Sequence, residues 1–153
     1  VLGWILNGWQ VSGLFTAQSG TAVDITMANA LLRAPSNTQR PDLAGDPKKL
    51  GGIGGGQTWF DTTAFSAPAN NTFGNLTRNG AGIDGPGYIN LDGSLVKRFN
   101  FGARYGEFRV DAFNVTNSLH ANNPNGTFGG PVFGQITGSY GERIVRFGLR
   151  FIF

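Results

Sequence analysis

Glu107 and Asp111 are the pair in this chain best placed to do chemistry together. Both occupy odd positions of one alternating run, so an extended backbone puts both carboxylates on one face. Paired carboxylates are what glycoside hydrolysis requires. Arg109 lies between them, however, and Arg98, Arg146 and Arg150 come from neighbouring alternating runs. Mixed charges lining a water-filled lumen explain this set better than an acid/base couple. His120, the single histidine, could serve as a general base. No Ser or Cys nucleophile motif accompanies it, and it reads as a solvated loop residue. Gly80-Ala-Gly-Ile-Asp-Gly85 fits G-x-G-x-x-G, but a dinucleotide site needs a strand before it and a helix after it. An Asn-rich loop precedes this one and Pro86 follows. The glycines of 51–56 lack the lysine of a phosphate loop. Cysteine is absent, which excludes disulfides and thiolate metal sites, and one histidine makes no zinc cluster. No enzymatic activity, cofactor or metal is expected.

The elements that would position these residues are alternating runs. In 143–153, Val145, Phe147, Leu149, Phe151 and Phe153 fall on one face of a strand, with Arg146 and Arg150 on the other. A span of about 9–11 residues is what a strand needs to cross a bilayer. No run approaches 18 apolar residues, so no transmembrane helix is expected. The chain opens at Val1 without an initiator Met or a basic leader, which reads as a piece of a longer precursor. Gly is 25 and Phe 13 of 153 residues, and only 14% are charged, an unusual composition for a soluble domain. The net charge of +3 is scattered, giving nucleic-acid binding little support.

Alternation predicts strands near 9–18, 21–27, 88–101, 106–115 and 143–153, with long loops over 28–87 and 116–142. Ser19-Gly20 reads as a hairpin turn joining the first two strands, and 102–106 as a second short turn. Short and long connections then alternate, as in an outer-membrane barrel with short periplasmic turns and long extracellular loops. Trp59, Phe60, Phe65 and Phe73 suggest that the first loop packs on itself, with substrate contact the lesser alternative.

The expected fold is therefore all-β: about five strands of an antiparallel transmembrane β-barrel. Arg or Lys facing lipid near the midplane costs roughly 2–4 kcal/mol, so Arg98, Glu107, Arg109, Asp111, Arg146 and Arg150 are assigned to the lumen. Lys97 is the misfit, a cation in the lipid-facing row, expected to snorkel to the headgroups. Trp9 is expected in one aromatic girdle and Phe99, Phe101 and Phe153 in the other. Five strands cannot close a transmembrane barrel, whose smallest examples have eight. The chain reads as a fragment of a larger barrel.

Gly8-Trp-Gln-Val-Ser-Gly-Leu-Phe-Thr-Ala-Gln-Ser-Gly20, Gln39-Arg-Pro-Asp-Leu43, Trp59-Phe-Asp-Thr-Thr-Ala-Phe65, Phe73-Gly-Asn75, Gly85-Pro-Gly87, Asn90-Leu-Asp92 and Phe113-Asn-Val-Thr-Asn117 appear in this order. Together they resemble the C-terminal part of TonB-dependent outer-membrane receptors, nearest the Oar-like subgroup. One departure is Ala22, where that family often has Pro after Ser-Gly-Thr. The resemblance implies a 22-stranded barrel, a plug domain inside it, and uptake of a large nutrient (siderophore, oligosaccharide or peptide). The implied partners are outer-membrane lipid, the rest of the barrel and its plug, the TonB complex through the missing N-terminal part, and the barrel-assembly machinery. The resemblance also makes Val145, Phe147, Leu149, Phe151 and Phe153 the C-terminal assembly signal. The alternatives are a non-transporting barrel (adhesin, anchor or porin) and a soluble β-rich binding module. The expected location is the bacterial outer membrane.

Overall fold

The structure is a computed structural model, and residues 5–28, 32 and 38–153 are described. Four long strands carry it: β1 (Trp9–Gln18), β5 (Tyr88–Phe101), β6 (Arg104–Phe113) and β10 (Ile144–Ile152). Between them lie short strands β2 (Thr26–Met27), β3 (Asp42–Leu43), β4 (Phe65–Ser66), β7 (His120–Ala121), β8 (Thr127–Phe128) and β9 (Ser139–Tyr140). The long strands form one antiparallel sheet in the order β1-β5-β6-β10. No helix among the described residues is long and apolar enough to cross a membrane, which says nothing of crossing by strands.

The sheet follows the predicted alternation, with one correction of topology. Residues 21–27 are not the second strand of a hairpin. β1 pairs along its whole length with β5, from Trp9 opposite Lys97 to Gln18 opposite Tyr88. Only Thr26–Met27 of the expected second strand is extended in a ladder, and it runs parallel to Thr127–Phe128. Ala22 bridges Asp84, and the Val23 N–H donates to Ile83 O at 2.8 Å. The sequence signal failed because Ser19-Gly20 is not a turn. Gly20 lies against the backbone of Gly85, and a Cβ there would come within 1.9 Å of the Gly85 carbonyl oxygen. The glycine serves a close approach of two segments of the chain, a role that looks the same as a turn in sequence.

Among the described residues the sheet therefore has four long strands rather than the expected five, and the first long connection spans 19–87. Within it, 29–31 and 33–37 lie outside the described residues, as do 1–4. Both long connections leave the sheet at one end. The Gly102 turn and Phe153 lie at the other. Trp9 sits opposite Lys97 and so shares the end occupied by Phe99 and Phe101, not the opposite girdle. The second turn is tighter than expected: Phe101 pairs with Arg104 around Gly102, which has φ +67°. A two-residue loop with Gly first matches the twist of the flanking strands.

The chain divides into two compact units. One comprises 1–18, 88–119 and 141–153; the other comprises 19–87 and 120–140. The second unit holds the hydrophobic core. Phe60 is fully buried, and Ile25, Trp59, Phe65, Leu76, Ile83 and Ile136 pack with it. Phe133 meets Phe60, Phe65 and Phe128 edge-on at 5.4–5.5 Å between ring centroids, a favoured geometry for aromatic pairs. The loop does pack on itself, but Phe73 is exposed and takes no part in this core.

Candidate functional site

The register of the sheet gathers the predicted charged residues into rows. Arg98, Glu107 and Arg150 lie opposite one another on β5, β6 and β10. Ser12, Ser94, Asp111 and Arg146 form the next row but one. An Arg98 guanidinium nitrogen stands 3.5 Å from a Glu107 oxygen, and Arg109 Nε donates to both oxygens of Asp111 at 2.8 Å. The Arg98 guanidinium also covers the Tyr105 ring at 4.6 Å, and that of Arg146 covers Phe113 at 5.2 Å. Each candidate carboxylate thus faces a guanidinium rather than the other carboxylate. All six residues share one face, over which Ser12, Asp92, Ser94, Arg109, Asp111 and Arg146 border an open groove of about 490 Å³. Exposed ion pairs of this kind contribute about 0–1 kcal/mol each. They make the face wettable more than they stabilise it.

The opposite face is apolar. Val11, Leu95, Val110 and Phe147 stand in one cross-strand row, and Phe108 stacks on Phe147 at 6.3 Å. Val11 is 78% exposed, Phe147 73% and Leu149 72%. A contiguous apolar surface of this extent is out of place in water.

Lys97 is on the apolar face, as its parity requires, but it does not reach outward. It is 3% exposed. Its ammonium donates to the carbonyls of Ile5 and Asn7 and lies 4.7 Å from the Trp9 ring and 5.5 Å from the Phe99 ring. The indole N–H of Trp9 donates to the same Ile5 carbonyl at 2.7 Å. Residues 5–9 wrap the charge, because a buried ammonium needs hydrogen-bond acceptors that the neighbouring apolar side chains lack. The expected snorkelling is replaced by this enclosure.

At the other end of the sheet, Asn114 clips the base of the second connection. It is 4% exposed. Its side-chain amide donates to the carbonyls of Ser118 and Gly141 at 2.9 and 2.8 Å and accepts from the Ser118 N–H. Its own N–H donates to Asp92, which also accepts from Asn90. Asn114 has φ 51°, a left-handed conformation that Asn tolerates better than most residues. The Asn90-Leu-Asp92 and Phe113–Asn117 motifs therefore meet in one hydrogen-bonded knot.

The other motifs interlock in the same way within the loop unit. Arg40 clamps both oxygens of Asp24 at 2.9 and 2.7 Å. Burial works against the Asp24 carboxylate. The Arg40 hydrogen bond, the Asn79 N–H and the charges of Arg40 and Arg78 outweigh that, and its pKa falls below the ordinary value. Leu43 exchanges backbone hydrogen bonds with the Asn75 side chain, and the Asn75 N–H donates to Asp42. Asp61 caps the short 3-10 helix Thr62–Ala64. Hydrogen bonds from the Thr63 hydroxyl and N–H hold its pKa down. The Trp59 indole donates to the Asp84 carbonyl at 2.8 Å.

His120 is not solvated. It is 2% exposed and lies opposite Tyr140 in a short ladder, with ring centroids 5.7 Å apart. Gly80–Gly85 forms turns rather than a strand-to-helix junction, and 51–57 is the tip of a hairpin whose Leu50 and Gly51 amides both donate to the Trp59 carbonyl. Sequence reasoning missed Lys48, Lys49, Asp46 and Asp84, which border a second cleft in the loop unit. Asp84 lies in the Gly80–Gly85 run, and the other three carry no motif or periodicity that could have singled them out.

One face of paired charges and one of exposed apolar side chains, on strands long enough to cross a bilayer, are what a membrane barrel wall requires. The model of a known family, described as an outer membrane beta barrel domain, matches residues 1–146. No curated protein and no solved structure matches the chain. The chain belongs to the outer membrane beta barrel domain family, and its place is the bacterial outer membrane.

Proposed function

We propose that the chain is part of a TonB-dependent transporter that binds a large nutrient at the cell surface and imports it, without catalysis. The observation that carries this reading is the fate of the receptor-like motifs. Gln39–Leu43, Trp59–Phe65 and Phe73–Asn75 come together in one folded unit with its own core, and that unit is built on the connections of a barrel sheet. Long connections of such barrels are extracellular, which supports a role for the unit in meeting a ligand from outside. Arg98, Glu107, Arg109, Asp111, Arg146 and Arg150 then line a hydrated lumen and face a plug. The row Val145, Phe147, Leu149, Phe151 and Phe153 meets lipid and is the segment offered to the barrel-assembly machinery. A sheet of four strands has two open edges, and unsatisfied backbone groups in lipid cost several kcal/mol each, so further strands close the barrel.

The compactness of the loop unit favours a second reading, a surface-display barrel that holds a binding unit and transports nothing. The two separate on one measurement. Full-length protein in detergent is titrated with the purified periplasmic domain of TonB. Saturable binding is expected. Its absence at millimolar concentration selects the non-transporting barrel.

A further inference from the structure

We infer that the loop unit carries a binding site for a small zwitterion, of the class of a free dipeptide, in the cleft between 46–49 and 81–84. The cleft encloses about 410 Å³, within the range of small-molecule sites. Ala81 and Ile83, both buried, contribute an apolar floor. Asp46, Lys48, Lys49 and Asp84 contribute two charges of each sign.

Opposite charges around one cleft would ordinarily pair with each other. Among the described residues, the ion pairs join Arg40 to Asp24, Arg98 to Glu107 and Arg109 to Asp111. None involves the four charges of the cleft. Trp59 keeps its walls in place. Its indole N–H donates to the Asp84 carbonyl at 2.8 Å, and the Lys49 ammonium lies 4.5 Å from its ring centroid. Trp59 is itself buried in the core. One wall is thus tethered through its backbone and the other through a cation–π contact, which limits the ordering cost on binding. A simple anion would meet the carboxylates of Asp46 and Asp84, and a simple cation the ammonium groups of Lys48 and Lys49. A ligand with a carboxylate at one end, an ammonium at the other and an apolar middle satisfies both signs and the floor.

The inference deepens the proposed function and rests on it only for the ligand's route into the cell. The test is calorimetric titration of full-length protein in detergent with leucyl-leucine, beside the same dipeptide acetylated at its N-terminus and amidated at its C-terminus. The free dipeptide is expected to bind saturably, and the blocked form at least tenfold more weakly. Asp84→Asn and Lys48→Gln, both at exposed positions, should each weaken the free dipeptide at least tenfold. No binding, equal binding of the blocked form, or indifference to both substitutions overturns the site. The titration needs neither TonB nor an energised membrane. A protein that binds the dipeptide but not TonB upholds the site and sinks the import reading; the reverse sinks the site alone.

Discussion

Phe60→Ala is expected to open the loop unit while leaving the membrane sheet assembled. Phe60 is fully buried and touches the Phe65 and Phe133 rings. Truncating a buried Phe to Ala costs about 3–5 kcal/mol through lost transfer energy and the cavity left behind. Every 1.4 kcal/mol is tenfold in an equilibrium constant, so local opening should rise by about a hundredfold or more. Hydrogen exchange reads this directly. The amides of Trp59, Leu50 and Val23 bond to Gly134, Trp59 and Ile83 carbonyls inside the unit. They should lose protection, while amides of β5 and β6, which belong to the other compact unit, keep theirs. Unchanged protection at those three amides would refute a core organised on Phe60.

Leu149→Arg has the second largest expected effect. Leu149 lies opposite Phe108 near the middle of β10, on the apolar face, and is exposed. A guanidinium there near the bilayer midplane costs roughly 2–4 kcal/mol. Arg150→Leu, one residue on, changes the charged face and should cost no more than about 1 kcal/mol, the scale of an exposed ion pair. Reversible urea unfolding of full-length protein from lipid bilayers separates the two. Equal costs, or a larger cost for Arg150→Leu, would mean that the lipid face has been assigned to the wrong side.

The residues most legible in the sequence were those governed by period. Arg146, Arg150, Phe147 and Leu149 could be placed on opposite faces because a strand turns each side chain over at every step. The same rule placed Arg98, Glu107, Arg109 and Asp111 on one face. Direction and pairing partner were less legible. Residues 21–27 have the composition of a strand, yet β1 pairs across nearly seventy residues with β5. Periodicity carries no information about which strand is the neighbour, and Gly20 gave the wrong cue because a close approach and a turn both favour glycine. His120 and Lys97 were misjudged for a related reason. Burial of a polar residue depends on what the rest of the chain folds over it: the Tyr140 ring for one, the carbonyls of Ile5 and Asn7 for the other. The cleft at 46–49 and 81–84 was invisible because its charges come from segments far apart in sequence.

The central claim is that β10 is a wall between lipid and water, with odd positions facing one and even positions the other. Single cysteines at 145 to 151, in an otherwise cysteine-free full-length protein in bilayers, can carry nitroxide labels for collision measurements with oxygen and with a water-soluble nickel chelate. This chain brings no cysteine of its own. The account predicts high oxygen and low nickel accessibility at 145, 147, 149 and 151, and the reverse at 146, 148 and 150. A profile without a two-residue period, or with the opposite phase, would contradict it.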